Sequence, residues 1–275
     1  MSFRDFLIIS RANILISTIP TALFGVILSR GPLFSSLSLL YILLYFLIIT
    51  FACNINCLSD VEVDSRYKSY MSNAVKRVGE TKIKMLLFIE TCLIFSLITY
   101  FYLNGKILTS VFAFSGFVFS YIYSASPLRL KAKGFFSFIP TFFGLYFISV
   151  LGGYALYSQI DFHIVIFAFS YALLNQGITF VNTCEDFEED NETGIKTFAH
   201  FLGFRKTLFL AVVLTFLGGL NLFFYSKSTL FFVPLIFVFS QILNSFIENN
   251  AKKYASKMPL WFFLVRYPLL ISLII

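Results

Sequence analysis

Two nine-residue stretches share one skeleton: Asn, three residues, Asp, three residues, Asp. The first is Asn56-Cys57-Leu58-Ser59-Asp60-Val61-Glu62-Val63-Asp64, and the second is Asn182-Thr183-Cys184-Glu185-Asp186-Phe187-Glu188-Glu189-Asp190. On a helix, four residues advance about 400°, so each skeleton is a stripe of one amide and two carboxylates on a single face. Two such stripes facing each other would surround a common space with four carboxylates. Carboxylates that close repel unless cations sit between them, and hard divalent cations prefer oxygen ligands. Mg²⁺ takes one or two carboxylates, keeps much of its water and completes its shell with phosphate oxygens. Each stripe ends a long apolar segment. The spacing therefore points to a metal-bridged diphosphate site at a membrane surface.

Cations follow each stripe. Arg66 and Lys68 come after the first, Lys196 after the second, and Arg129 and Lys131 stand in the intervening run Tyr123-Ser124-Ala125-Ser126-Pro127-Leu128-Arg129-Leu130-Lys131. Positive charge beside a metal-bound diphosphate would balance it and stabilise it as a leaving group. Arg11 and Asn13 sit where the first apolar segment starts and are further candidates.

The elements that must position these residues are membrane helices. The chain has 275 residues, of which 58% are hydrophobic, 13% charged and 38 are Phe. Soluble domains carry about 25% charged residues, and the mean hydropathy here is +0.84. Nine apolar segments of bilayer length follow, at about 7–29, 34–58, 84–104, 107–123, 135–157, 160–184, 207–225, 228–248 and 258–275. The first lacks a small-x-small cleavage site and reads as a span rather than a signal peptide. With the N-terminus in the cytoplasm, the outer loops hold only Arg30, Lys106 and Lys227, and Arg266 lies within the last span. All other Lys and Arg fall inside, which sets the orientation and opens both stripes to the cytoplasm. The net charge of +7 is then a property of that face and its lipid. Basic residues scattered over short loops argue against nucleic-acid binding. The expected fold is an all-α polytopic membrane protein, nine helices around a central cavity. It is built as two weakly repeated four-helix blocks plus one helix, in one domain over 1–275.

At these residues the sequence resembles the UbiA family of intramembrane prenyltransferases. The match rests on the two N/D-x-x-x-D stripes, on Tyr-Ser-x-x-Pro-Leu-Arg-Leu-Lys before Lys133, and on Asp190-x-x-x-Gly-Ile-Lys-Thr. Arg11-Ala12-Asn13 is similar to the family's Arg-Pro-x-Asn opening. The resemblance implies that Asn56, Asp60, Asp64, Asp186 and Asp190 hold Mg²⁺ on a prenyl diphosphate. Asn182 extends the second stripe, while Arg11, Asn13, Arg66, Lys68, Arg129, Lys131 and Lys196 grip the diphosphate. Pyrophosphate departure would leave an allylic cation in an aromatic-lined cavity, for attack by a lipophilic acceptor. A quinone-precursor aromatic or a glycerol-phosphate ether lipid heads the acceptor classes, with a carotenoid end and a porphyrin-type ring behind. Lys68 and Met71 stand where many members carry Arg, and Ser72-Asn73-Ala74-Val75 replaces a Pro-Ser-Gly run. These departures bear on the acceptor more than on the diphosphate chemistry.

Competing readings are a transporter, which also uses repeats and intramembrane charge, and a non-catalytic binding relative. Transporters place their sites near the midplane, whereas both stripes here lie at span ends. Glu62, Glu185, Glu188 and Glu189 point off the stripes and read as solvated or loop-stabilising. Glu90 and Arg266 lie within spans, where facing lipid is costly. His163 and His200 have no companions for a metal site and read as structural.

Overall fold

The computed structural model describes residues 2–275, apart from the side chains of Phe3 and Asn13. In chain order the helices are α1 (Phe3–Ile9), α2 (Ala12–Leu28), α3 (Ser36–Ser59), α4 (Val61–Tyr67), α5 (Ser69–Val78), α6 (Glu80–Leu103) and α7 (Ile107–Ser124). Two short 3-10 turns (Leu130–Ala132 and Gly134–Phe138) and a wide-turned π segment (Pro140–Phe147) lead into α8 (Ile148–Tyr154). Then come α9 (Phe162–Glu185), α10 (Phe187–Glu192), α11 (Phe198–Leu202), α12 (Phe204–Ser226), α13 (Thr229–Ile247), α14 (Lys252–Ala255) and α15 (Met258–Ile274).

Among the described residues, seven helical segments are long and apolar enough to cross a bilayer: α3, α6, α7, the run Gly134–Tyr154, α9, α12 and α13. The first and ninth expected spans are also apolar helices but shorter, 17 residues each. The expected first span differs most from the structure. It does not run unbroken from residue 7, because the chain turns at Ser10 and Arg11. Arg11 adopts φ 49°, ψ 58°, a left-handed conformation that no L-residue in a continuing helix can hold. The membrane helix therefore starts at Ala12, and α1 lies apart, where Asp5 pairs with Arg77 of α5 at 2.6 Å.

Helix starts are set locally. Ser35 caps α3 by accepting from the Ser38 amide at 3.1 Å, and Asp161 caps α9 by accepting from Ile164 at 2.9 Å. Each satisfies an amide that would otherwise lack a partner. The α9 helix is the buried hub, with Phe167, Tyr171, Leu174 and Ile178 fully buried. It lies closely against α12. A Cβ on Gly177 would collide with Ala211 and Thr215, and one on Gly218 with Ser170 and Leu174. In lipid, where the hydrophobic effect does not drive helix association, such backbone approach supplies the packing. By contrast α6 exposes Phe88, Ile89, Leu93 and Phe95 to the surroundings, as a lipid-facing helix should.

Candidate active site

The two stripes do not stay on single helices. Span helix α3 ends at Ser59, Asp60 is its C-cap, and Asp64 belongs to α4. Likewise α9 ends at Glu185, Asp186 is its C-cap, and Asp190 belongs to α10. The i to i−4 hydrogen bonding nevertheless runs through both breaks. The Asp60 amide donates to the Asn56 carbonyl at 3.0 Å and the Asp64 amide to Asp60 at 2.8 Å. Asp186 donates to Asn182 at 3.3 Å and Asp190 to Asp186 at 2.8 Å. Each amide and its two carboxylates therefore keep one face although the helix changes direction. The segment after the first stripe is helical, as the end of α4 and as α5. This carries the column one turn further, because the Lys68 amide donates to the Asp64 carbonyl at 2.9 Å.

Both stripes line one polar chamber of about 210 Å³. Its walls hold Asn56, Asp60, Asp64 and Lys68 from one side, Asn182, Asp186 and Asp190 from the other, and Arg11 and Lys131 between them. Cations cross-link the halves. Lys68 Nζ, from beyond the first stripe, donates to Asp186 of the second at 3.1 and 3.3 Å. The run after α7 reaches back to the first stripe. Arg129 donates to Asp60 at 2.9 Å, and Lys131 donates to the other Asp60 oxygen and to Asn56 Oδ1, the latter at 2.8 Å. Ser124 also donates to Asn56 Oδ1, at 3.1 Å. The floor of this run is held by backbone and side-chain bonds to the stretch before α11. Gly134 N donates to the Lys196 carbonyl, and Phe198 N to Ser137 Oγ at 2.8 Å.

Asp64 and Asp190 are different. Neither carboxylate accepts a hydrogen bond among the described residues. Burial, then the charge of Asp60, raises the Asp64 pKa. Burial, then the charge of Asp186, pushes Asp190 up to about 7. Each is a partly desolvated carboxylate beside another, and an arriving cation would relieve both costs. Burial lowers the Lys131 pKa against the opposing pull of Asp60. At Lys68 burial also opposes the charge, but Asp186 outweighs it and the pKa is raised.

Positive charge is available as well. Arg11 and Arg129 both sit in the left-handed region, at φ 49° and 38°, and both have a buried Nε with no hydrogen-bond partner among the described residues. Strained backbone of this kind is held in place only by its surroundings and concentrates at functional sites. Of the two, Arg11 lines both chambers, and an unpartnered guanidinium N–H at a chamber wall is a donor waiting for an anion.

Among the described residues, no three His, Cys, Asp or Glu side chains gather around one point in the way a protein-only metal cage requires. Two carboxylate pairs on opposing walls instead match an ion that takes few protein oxygens and fills its shell with phosphate and water, as Mg²⁺ does. The free carboxylates of Asp64 and Asp190 and the open Arg11 donor fit that ion with its diphosphate.

The polar chamber opens directly into a second, apolar one, also of about 210 Å³. Arg11, Asn56, Tyr123, Thr141, Thr179, Asn182 and Met258 belong to both. Tyr41, Tyr45, Phe112, Phe119 and Tyr146 line the apolar side. The π segment supplies Pro140, Thr141, Gly144, Leu145 and Tyr146 to this wall, in keeping with the association of wide turns with functional sites.

Not every expected residue enters the chambers. Arg66 lies on the exposed face of α4, Lys196 is exposed with its ammonium on Asn191 Oδ1 at 3.3 Å, and Arg129 lines neither chamber and reaches the site through its ion pair with Asp60. The Asn13 side chain falls outside the described residues. Glu189, expected to be solvated, lines the polar chamber, as do Gln176, Thr141 and Tyr123. Gln176 and Glu189 have no place in the stripe spacing. Tyr123 ends an apolar run whose periodicity gives no inward direction. His200 is structural, stacked on Phe187 at 4.2 Å and bonded to its carbonyl at 3.0 Å.

The sequence model of the UbiA prenyltransferase family matches residues 18–266. The fold is similar to that of a UbiA homologue from Archaeoglobus fulgidus bound to GPP and Mg²⁺. That likeness has a TM-score of 0.69 and 16% identity, and covers 98% of this chain and 100% of the other. It is also similar to a digeranylgeranylglyceryl phosphate synthase structure, with a TM-score of 0.67 and 19% identity, covering 98% of this chain and 96% of the other. Curated proteins offer no match to the sequence. The chain belongs to the UbiA prenyltransferase family, as an all-helical integral membrane prenyltransferase.

Proposed function

We propose that this protein transfers an isoprenyl chain from a prenyl diphosphate to a lipophilic acceptor, with Mg²⁺ on the diphosphate. One observation carries the reading: a chamber of paired carboxylates and an unpartnered Arg11 donor opens, across a shared rim, into an apolar aromatic chamber. A prenyl diphosphate has the same two halves. The likeness in fold to a protein bound to GPP and Mg²⁺ supports it.

Asp60, Asp64, Asp186 and Asp190, with Asn56, would hold Mg²⁺. Bound there, the ion supplies positive charge to the leaving pyrophosphate. Arg11, Lys68, Arg129 and Lys131 would donate to the diphosphate oxygens, and Asn182 extends the second wall. The allylic C–O bond breaks with its electron pair going to pyrophosphate. The aromatic wall excludes water and turns π faces toward the resulting cation. The acceptor then gives an electron pair to that carbon and loses a proton. A quinone-precursor aromatic and a glycerol-phosphate ether lipid are the leading acceptors. Residues 1–275 serve as one transmembrane domain in the cytoplasmic membrane. The clustering of Lys and Arg on the loops of one side supports a site open to the cytoplasm.

The direct test is purified protein in lipid with Mg²⁺, a series of prenyl diphosphates and each acceptor class, read by mass spectrometry of the products. A prenylated product that depends on Mg²⁺ is expected. Its absence with every acceptor, together with no pyrophosphate release, would overturn the reading.

The apolar chamber also makes a prediction about donor length. A Cβ on Gly116 would meet only ordinary contacts, 3.9 Å from Gly144 O and Ile148 Cδ1, so a side chain there would grow into the chamber. Gly116→Phe is expected to reduce kcat/KM for long donors at least tenfold relative to the shortest, about 1.4 kcal/mol of selective exclusion. Equal losses for all donor lengths would show that the tail does not lie there.

A further inference from the structure

Glu90 is unexplained by the site just described. It lies within α6, whose neighbouring side chains face lipid, yet it is only 4% exposed. An ionisable group inside a membrane span is costly, and such groups are kept where they serve a partner. Its partner is Asn54 of α3, fully buried, whose Nδ2 donates to Glu90 Oε1 at 2.8 Å. The connection does not stop at Asn54. Its Oδ1 accepts from Ser10 Oγ at 3.2 Å, and Ser10 is also fully buried. One turn along the same face of α3, Cys57 Sγ donates to the Ile9 carbonyl at 3.3 Å.

These bonds converge on the break between α1 and α2. Ser10 is the C-cap of α1, and the next residue, Arg11, is the left-handed N-cap of α2. A non-glycine residue in that conformation persists only if its surroundings over-determine it. The Arg11 backbone makes its own local bonds, its amide donating to the Ile8 carbonyl at 3.1 Å and its carbonyl accepting from Ile14 and Leu15, but its side chain makes no cap hydrogen bond and its Nε has no partner among the described residues. The tertiary restraint comes from residues 9 and 10, held by α3, and through Asn54 from α6.

We infer that Glu90 and Asn54 are positioning residues for Arg11. They fix the α1–α2 break so that the guanidinium stands at the rim shared by the polar and apolar chambers. The chain Glu90–Asn54–Ser10 runs from the lipid-facing side of the fold to the diphosphate donor. Pre-organised donors act without reorganising when charge arrives, and loosening the break makes binding pay to order it. This inference rests on the reading of Arg11 as a diphosphate ligand.

The test is the Kd of inorganic pyrophosphate with Mg²⁺, by calorimetry on the full-length protein in detergent or nanodiscs, with the acceptor KM measured alongside. Glu90→Leu and Asn54→Leu should each weaken pyrophosphate binding about tenfold, the scale of one lost buried hydrogen bond to a charged group. The acceptor KM should stay unchanged. Glu90→Gln keeps an acceptor for the Asn54 amide and should restore near-normal binding. In an Arg11→Ala background, Glu90→Leu should weaken binding no further. If Glu90→Leu fails to fold, Ser10→Ala decides, because it removes only the last link and should reproduce part of the loss. Unchanged pyrophosphate affinity in the folded variants, or an equal loss with Arg11→Ala already present, would overturn the inference. An Arg11→Ala variant that binds pyrophosphate normally would instead remove the reading of the site on which it stands.

Discussion

Replacing Asp64 or Asp190 by alanine is expected to lower pyrophosphate release about 100- to 1000-fold, or ~3–4 kcal/mol of transition-state stabilisation. These two carboxylates have no protein donor to lose, since Asp60 and Asp186 hold the ammonium and guanidinium contacts. On the proposed function, what each alanine removes is a ligand to the cation on the leaving group. Asp60→Ala and Asp186→Ala should also be severe, but with an added change. Freed from their carboxylates, Lys131 and Lys68 would bind anions more readily, so the metal dependence should suffer more than the diphosphate affinity. Glu62 supplies the comparison. It is exposed on α4, two residues from Asp64, and Glu62→Ala should change the rate less than threefold, within the range of surface substitutions. The measurement is pyrophosphate release against Mg²⁺ concentration. A near-normal rate for Asp64→Ala would show that the first stripe ends at Asp60.

Arg11→Ala carries the second large effect. Its guanidinium is at the rim, and its Nε lacks a partner among the described residues. A charge-assisted hydrogen bond in such a place contributes about 1.5–3 kcal/mol, so the donor Kd should rise roughly 10- to 100-fold. Arg11→Lys should recover part of this, because a point charge replaces the fork but cannot donate from two nitrogens at once. The acceptor KM should move little. Donor binding measured by competition with a slowly reacting thiolodiphosphate analogue reads the change. An unchanged donor Kd in well-expressed protein would place Arg11 outside the site.

The stripes were legible because their spacing coincides with the helical repeat, and four-residue columns keep one face even where a helix bends. The bend itself was not. Nothing in Ser59-Asp60-Val61 or Glu185-Asp186-Phe187 marks a helix change, since neither contains Gly or Pro. Seven spans were readable from apolar length alone. The break at Arg11 was hidden because its cause is tertiary: buried groups on α3 hold Ile9 and Ser10, while the local sequence Leu7-Ile8-Ile9-Ser10-Arg11-Ala12 reads as continuous helix. The partition of the cations followed the same rule. Lys68 is one turn beyond Asp64, so the column predicts its face. Arg66 is two residues along and points elsewhere. Lys196 stands at a bridge with Lys133, where backbone pairing and not helical spacing sets its direction. Glu189 shows the limit of the stripe argument, because the change of direction at Asp186 turns a second face of α10 toward the chamber.

The central claim is that two stripes far apart in sequence act as one Mg²⁺–diphosphate site. Ion pairing already joins them, through Lys68 and Asp186. The most direct measurement is a double-mutant cycle across the chamber: pyrophosphate release, at a series of Mg²⁺ concentrations, for the parent, Asp64→Ala, Asp190→Ala and the combination. Groups that act as a unit are strongly non-additive, so the combined variant should be little slower than the worse single one. Losses that multiply, as for independent groups, or near-normal release in an Asp186→Ala/Asp190→Ala variant, would contradict a shared site.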